Sequence, residues 1–320
     1  MSDAVINLID LAPTEESFRE AVLEGLSRER KAIPCKFLYD ARGSELFERI
    51  CELPEYYPTR TERRVLWRRA DEIAALAGPR PQLVEFGSGS SEKTRTLLEA
   101  LQPSCYVPID ISRDQLEAAA LELTREFDGL EIVPICADYT RDDFIPVLPS
   151  SGNTRIGFFP GSTIGNLEPE EAEAFLDRCA TVLGAGGGMV IGVDLRKDRA
   201  VLDAAYNDAQ GVTAAFNLNL LERMNRELDG SFDLSRFAHE AFYDEGESRI
   251  EIYIRSLTRQ HVRVAGRTIV FDAYERIHTE YSYKYDIETF QRLAGRAGFY
   301  PEAAWTDPRA LFSVHFLRVA

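Results

Sequence analysis

Apolar positions along this chain follow two periods, and the change from one to the other marks where strands give way to helices. PQLVEF (81–86), CYVPID (105–110), EIVPIC (131–136), RIGFFPG (155–161) and GGMVIGVDL (187–195) are short apolar runs flanked by turn residues, which predicts buried strands. Between them SSEKTRTLLEAL (90–101), SRDQLEAAALELTREF (112–127) and EPEEAEAFLDRCATVL (168–183) carry helical spacing. Ser112 is a candidate cap for the second helix. The third has Pro169 near its start, acids in its first turn and glycines after Leu183. Repeated βαβ units of this length imply a parallel sheet covered by helices on both faces.

The flanking segments read differently. Residues 14–30 place Phe18, Val22, Leu23 and Leu26 on one helical face. KFLYDARGSELFERI (36–50) is expected to break at Gly43-Ser44 before a short helix. In LPEYYPTRTE (53–62), Pro54 and Pro58 bracket Tyr56-Tyr57, which predicts an ordered loop, with Thr59 or Thr61 capping a helix that runs to about residue 77. After Lys197, residues 203–228 are helical, rich in Asn and interrupted at Gly211. RIEIYIRSLTRQHVRV (249–264) alternates in at least its first half, and TEYSYKY (279–285) also reads as a strand. A helix at 287–297 and apolar runs near 302–306 and 311–319 return to the first pattern and are expected to close the same sheet. The expected fold class is α/β: a Rossmann-like sheet from residues 60–197 and 286–320, plus a second, α+β domain from residues 1–59 and 198–285.

Composition narrows the function classes. Hydrophobic residues make up 45% and charged residues 28%, ordinary values for a globular enzyme. The formal net charge of −16 argues against nucleic acid or anionic lipid as partner. No run of 18 apolar residues occurs and the first residues carry acids, so neither a membrane span nor a signal peptide is expected. Cys35, Cys51, Cys105, Cys136 and Cys179 are scattered and odd in number, and His239, His261, His278 and His315 lack ligand spacing. These features predict a cytoplasmic protein without disulfides or a metal site; a monomer is also expected.

LVEFGSGSSEKT (83–94) puts a Gly-x-Gly turn directly after an apolar strand and before a helix. Glycines there let the backbone approach a ligand closely. The motif alone fits dinucleotide enzymes, methyltransferases or a plain tight turn. Asp110 ends the second strand 21 residues after Gly89, where an acid can bind ribose hydroxyls, and Asp138-Tyr139 closes the third, where an aromatic can flank an adenine. The third glycine of a dinucleotide loop is missing, with Glu92 in its place, which favours a nucleoside over a pyrophosphate. Lys93, a cation in a helix's first turn, is a candidate partner for an anion such as a cofactor carboxylate.

Several motifs together, LPEYYPTRTE, LVEFGSGSSEKT, FFPGSTIGNLEP (158–169), the Ala-Tyr206-Asn-Asp segment, GVTAAFN (211–217) and TEYSYKY, resemble the histidine Nα-methyltransferase family of ergothioneine biosynthesis, in the same order and over essentially the whole chain. The resemblance implies a class I methyltransferase sheet with a substrate-binding domain. It also implies S-adenosylmethionine as cofactor and three methyl transfers to the α-amine of L-histidine, giving hercynine. Position by position it puts the cofactor on Gly87, Lys93, Asp110, Asp138 and Tyr139. It puts the amino acid on Tyr56, Gly161, Asn166, Tyr206, Glu280, Tyr281 and Ser282, and it makes Tyr39 and Asn166 the catalytic candidates. Phe37 and Ile252 depart from the family pattern near these positions.

The residue chemistry is consistent with that assignment. Glu280 and Ser282 are two apart on a strand and share one face, while Tyr281 points to the other. A carboxylate beside a hydroxyl suits an imidazole, which offers one donor and one acceptor nitrogen. Tyr56 and Tyr206 present ring faces for a methylated, permanently cationic product, worth about 0.5–2 kcal/mol each. The alternatives are α-N-methylation of another aromatic amino acid such as tryptophan, or, from another class, a nicotinamide-dependent oxidoreductase.

Overall fold

The computed structural model describes residues 8–11, 18–88, 92–141, 144, 146, 148–149 and 153–320. Gly89, the side chain of Glu92 and the start of the helix expected from residue 14 lie outside these residues. The chain divides into two compact units, the first formed by residues 1–14, 60–195 and 285–320 and the second by residues 15–59 and 196–284.

The first unit is built on strands β1 (Gln82–Phe86), β2 (Cys105–Asp110), β3 (Ile135–Cys136), β4 (Arg155–Phe159), β5 (Gly188–Asp194), β6 (Phe299–Thr306) and β7 (Phe312–Val319). Their spatial order is β3-β2-β1-β4-β5-β7-β6. β1 through β5 pair in parallel, and β7 alone runs antiparallel, between β5 and β6. The two-residue strand Ile9–Asp10 extends the sheet beyond β3. The order reverses between β1 and β4, and open α/β sheets bind ligands at such a switch point.

Side-chain alternation proves helices on both faces. Leu83, Ile156 and Phe158 join a core cluster with Leu66 and Ile73 of the helix Tyr57–Ala77 and with Leu97, Leu98 and Leu101 of the helix Glu92–Leu101. Phe86 and Phe159, of opposite parity, turn the other way and meet Phe175 of the helix Pro169–Leu183. β1 is buried at every position, as a strand covered on both sides must be. The expected third strand is split into Glu131–Ile132 and Ile135–Cys136, because Pro134 has no N–H to give the ladder.

The second unit carries an α+β arrangement. Its sheet runs Lys31–Ala32, Arg276–Tyr283, Arg249–Ser256, Phe237–Asp244, antiparallel except at the short first strand. A separate hairpin pairs Gln260–Val264 with Arg267–Phe271. The expected interruption at Gly211 separates the helices Arg199–Tyr206 and Val212–Glu227; Gly211 sits at φ +70° as the second helix's N-cap residue, and the Asp208 carboxylate accepts the N–H groups of Val212 and Thr213, each at 2.8 Å. The strand Phe237–Asp244 was not foreshadowed by the apolar pattern.

Three local expectations are corrected. The helix Ala41–Glu52 passes straight through Gly43-Ser44, capped by Asp40, whose carboxylate accepts the Gly43 N–H at 2.8 Å. Gly43 is there for space: a Cβ would lie 1.8 Å from the Leu38 carbonyl oxygen. The next helix begins at Tyr57, so Thr59 and Thr61 lie inside it, and Pro58 is tolerated because the first turn's N–H groups have no partners to lose. Ser112 occupies the N-cap position without a side-chain capping bond.

An alanine normally favours a helix interior over glycine by about 1 kcal/mol. At position 43 the sign reverses, and Gly43→Ala is expected to lower stability by about 1–3 kcal/mol. A urea denaturation midpoint at or above that of the unaltered chain would refute the packing argument.

Candidate functional site

In the first unit the cofactor candidates gather at the carboxyl ends of β1, β2 and β3. Gly87 follows β1 at φ +78°, a conformation that favours glycine, and its N–H donates to the Ile109 carbonyl at 2.8 Å. A Cβ there would lie 2.9 Å from the Tyr139 hydroxyl, so the absence of a side chain is what lets Tyr139 close on the loop. Asp110 ends β2 and accepts the Ser112 N–H at 3.0 Å. Burial raises its pKa, opposed by backbone N–H groups that include those of Ser112 and Ser88. The Ala137 N–H donates to the Asp110 carbonyl at 2.9 Å, bringing Asp138-Tyr139 beside β2. Asp138 accepts the Thr140 N–H at 3.0 Å, and the Tyr139 ring leans on Phe86, Phe159 and Phe175. The set fits a nucleoside: a glycine turn for close approach, an acid for a diol and an aromatic held by its own cluster.

Two buried acids support this edge. Glu85, at the end of β1, accepts the hydroxyls of Thr94 (2.9 Å) and Tyr106, and burial pushes its pKa up to about 7. Glu62 is fully buried; its carboxylate accepts the Gly161 N–H at 2.9 Å and the Lys93 ammonium at 2.7 Å. Gly161 opens the FFPGSTIGN turn at φ +83°, and Asn166 ends the short 3-10 helix Thr163–Asn166, where it is half-buried. Ser162, in the left-handed region at φ 58°, is held by the Asp194 N–H donating to its Oγ at 2.9 Å. Lys93, Gly161 and Glu62 are thus one bonded group.

The second unit holds the amino-acid candidates other than Gly161 and Asn166, which lie in the first. Tyr56 meets Tyr206 edge to face, with centroids 6.1 Å apart. The Tyr206 hydroxyl lies 2.9 Å from Ser282 Oγ, and the Lys284 ammonium donates to both, at 2.9 Å and 2.7 Å. Burial pushes the Glu280 carboxyl up to about 7, with Lys284 drawing it down, and its buried Oε2 has no hydrogen-bond partner among the described residues. Burial, with smaller contributions from Tyr206, Cys51, Tyr39 and Glu280, holds the Tyr56 hydroxyl well above its ordinary pKa, so it stays protonated at neutral pH. Tyr39 packs against Phe47 and Phe216, each at 5.4 Å, and Phe47 leads on to Tyr56 at 6.3 Å. Tyr281 is not brought into this group. Its ring stacks on His278 (3.9 Å) and under the Arg249 guanidinium (3.8 Å), across the strand from Glu280 and Ser282.

A second-unit network fixes Tyr206. Burial lowers the pKa of His239, so its neutral ring has one donor and one acceptor. Nδ1 accepts from the Asn217 amide at 3.0 Å, and Nε2 donates to the Tyr206 carbonyl at 2.9 Å. Asn217 also donates to the Tyr253 carbonyl and accepts from Thr279. Among the described residues no group of three or more His, Cys, Asp or Glu is placed to hold a metal, and no helix is long and apolar enough to cross a membrane.

A family model described as histidine-specific methyltransferase, SAM-dependent, matches residues 18–319. The histidine N-alpha-methyltransferase of Mycolicibacterium smegmatis is 41% identical over 320 residues, covering 98% of this chain and 98% of its own. Its counterpart in Mycobacterium tuberculosis is 41% identical over 304 residues, covering 93% and 94%. The 4-dimethylallyltryptophan N-methyltransferase of Aspergillus fumigatus is 27% identical over 334 residues, covering 98% and 97%.

Several polar groups at these two clusters escape sequence reasoning. Lys284 had a legible signal, since it continues the two-residue alternation of Glu280 and Ser282. Glu62 lies inside LPEYYPTRTE, but nothing local to that motif says that it will be buried. Removing Glu62 leaves the Gly161 N–H and the Lys93 ammonium without their carboxylate. Glu62→Ala is therefore expected to cost about 3 kcal/mol, the lower end for breaking a buried pair, because Lys93 retains some contact with solvent. Chemical denaturation measures the loss, and a change under about 1 kcal/mol, the ordinary worth of a surface pair, would show the pair to be dispensable.

Proposed function

The chain belongs to the family of histidine-specific, S-adenosylmethionine-dependent methyltransferases, and from that premise we propose that it transfers three methyl groups in succession to the α-amine of L-histidine. Membership of this family ends the case for a nicotinamide-dependent oxidoreductase. The observation that carries the substrate is Glu280: a buried carboxylate with one oxygen lacking any partner among the described residues, beside the Ser282 hydroxyl. A buried acceptor of that kind is costly unless a ligand donor completes it. An imidazole N–H is such a donor, and its other nitrogen accepts from a hydroxyl.

The bound sulfonium supplies an electrophilic methyl group; the protein's part is to present a neutral amine in line with it. An α-amine has a pKa near ~8 and is mostly protonated at neutral pH, so one proton must leave before each transfer, three in all. In this reading Gly87, Asp110, Asp138 and Tyr139 bind the nucleoside, and Lys93 its carboxylate end. The Asn166 amide holds the amino acid's amine or carboxylate, Gly161 shapes the turn that carries Asn166, and Tyr39 lies near the reacting nitrogen. Tyr56 remains protonated and serves as a donor rather than a base. Its ring and that of Tyr206 suit an amine that becomes permanently cationic, at about 0.5–2 kcal/mol per face.

Incubation with histidine and S-adenosylmethionine, followed by mass spectrometry, is expected to give the trimethylated amino acid. Tryptophan, run in parallel, is expected to react poorly, because an indole has no acceptor nitrogen to meet the hydroxyl. Equal turnover of both would sink the imidazole assignment. Glu280→Ala is expected to raise the KM for histidine about tenfold or more while leaving that for the methyl donor nearly unchanged; histidine kinetics like those of the unaltered enzyme would refute the role of Glu280.

A further inference from the structure

Lys284 is among the most buried side chains in the molecule, at 1% exposure, and the reaction as described gives it no task. Its Nζ donates to Ser282 Oγ at 2.7 Å and to Tyr206 Oη at 2.9 Å, and lies 5.0 Å from the Tyr206 ring centroid. An ammonium has three donors and no acceptor. Both hydroxyl oxygens therefore accept from it, and because the two hydroxyls lie 2.9 Å apart, one donates to the other and one proton remains to face away from the lysine. A neutral donor would serve equally well to tie the strand end to the helix Arg199–Tyr206. What a lysine adds is charge, and Glu280 is the carboxylate that feels it.

We propose that Lys284 is a positioning residue that determines specificity: it orients the linked Ser282 and Tyr206 hydroxyls so that one remains a donor facing away from it, and it sets its positive charge against Glu280. The side-chain subsite then offers an anionic acceptor and an oriented hydroxyl donor at once, the complement of a ring with one N–H and one bare nitrogen. This rests on the reading of Glu280 and Ser282 as the pair that recognises the side chain. Glu280 interacts electrostatically with Lys284, just past the end of its strand, and with Tyr56 from the turn before the helix Tyr57–Ala77, while Ser282 follows it two residues on and leads to Tyr206. Of these only Lys284 carries a charge at neutral pH. Burial raises the Glu280 carboxyl and Lys284 lowers it, so loss of the lysine lets it rise further. Histidine binding that needs the ionised carboxylate then requires a higher pH.

The test compares the unaltered enzyme with Lys284→Met and Lys284→Arg, using histidine and tryptophan as substrates across the neutral pH range. Lys284→Met is expected to raise the KM for histidine about tenfold or more, with kcat and the Kd for S-adenosylmethionine little changed. The preference for histidine over tryptophan shrinks accordingly. The pH at which the histidine KM is half-way through its change moves upward; histidine's own ionisations are common to all variants and cancel in the comparison. Lys284→Arg keeps the charge and is expected to keep the unaltered midpoint even where KM rises. If Lys284→Met does not fold, Lys284→Gln, a neutral side chain that still donates, takes its place. An unaltered enzyme that methylates histidine, with a variant lacking the lysine charge that keeps its KM and pH midpoint, overturns the role of Lys284 alone. An unaltered enzyme that neither binds nor methylates histidine, by calorimetry and mass spectrometry, overturns the substrate reading and this inference together.

Discussion

The Glu62 carboxylate lies where solvent does not reach, and an ionised group in that position must be neutralised by donors from its surroundings. Those donors are the Gly161 N–H and the Lys93 ammonium, one opening the turn after β4 and the other in the first turn of the helix after the glycine loop. The bond pattern makes room for itself elsewhere in the sheet. At Gly192, in the middle of β5, a Cβ would stand 1.9 Å from Glu62 Oε1. A glycine in a central strand weakens the strand, and here that weakness is the condition for admitting the carboxylate. The carboxyl edge of the sheet is thus set by a buried charge as much as by strand order.

The second unit meets the same constraint from the opposite sign. Lys284 is a buried cation that donates to two hydroxyls and lies over a tyrosine ring. The backbone of Tyr206 is fixed separately, through a neutral histidine and an asparagine that join the helix Val212–Glu227 to three strands. One tyrosine is consequently held at both ends, its carbonyl by His239 and its hydroxyl by Lys284 and Ser282. A ring so fixed loses little further freedom when a ligand arrives.

How much of this was legible follows from what each signal measures. The parallel, helix-covered sheet came from apolar runs of strand length separated by helical ones, because burial on both faces leaves a continuous apolar signature that needs no tertiary knowledge; the order of its strands did not. Glu280 and Ser282 were legible for the same reason, since alternation assigns faces. Gly43 misled because glycine in sequence signals a break, whereas here the requirement is the Leu38 carbonyl pressing on the helix, a contact between segments. The strand Phe237–Asp244 was missed because His239, Glu240 and Asp244 interrupt any apolar run, and its half-buried pattern has no clean alternation. Lys284 and Glu62 share a further reason. Charged residues are assigned to solvent by default, and only their partners, distant in sequence, reveal that they are inside.

Tyr281 shows where alternation has consequences of its own. It lies between Glu280 and Ser282 in sequence, yet its ring is sandwiched between His278 and Arg249, three residues back and one strand over. The register shift between Ile252 and Tyr253 leaves Thr279 as an extra residue in its strand, which puts His278 and Tyr281 on the same side and frees Thr279 to bond Asn217. A bulge adds a residue without changing the ladder beyond it. One inserted position therefore does two things: it turns Tyr281 outward into a cation–aromatic stack, and it aims Thr279 inward at the network that holds Tyr206. The opposite face carries Glu280, Ser282 and Lys284, one acid, one hydroxyl and one ammonium spaced by the period of a strand, with the Tyr206 hydroxyl bonded to the last two.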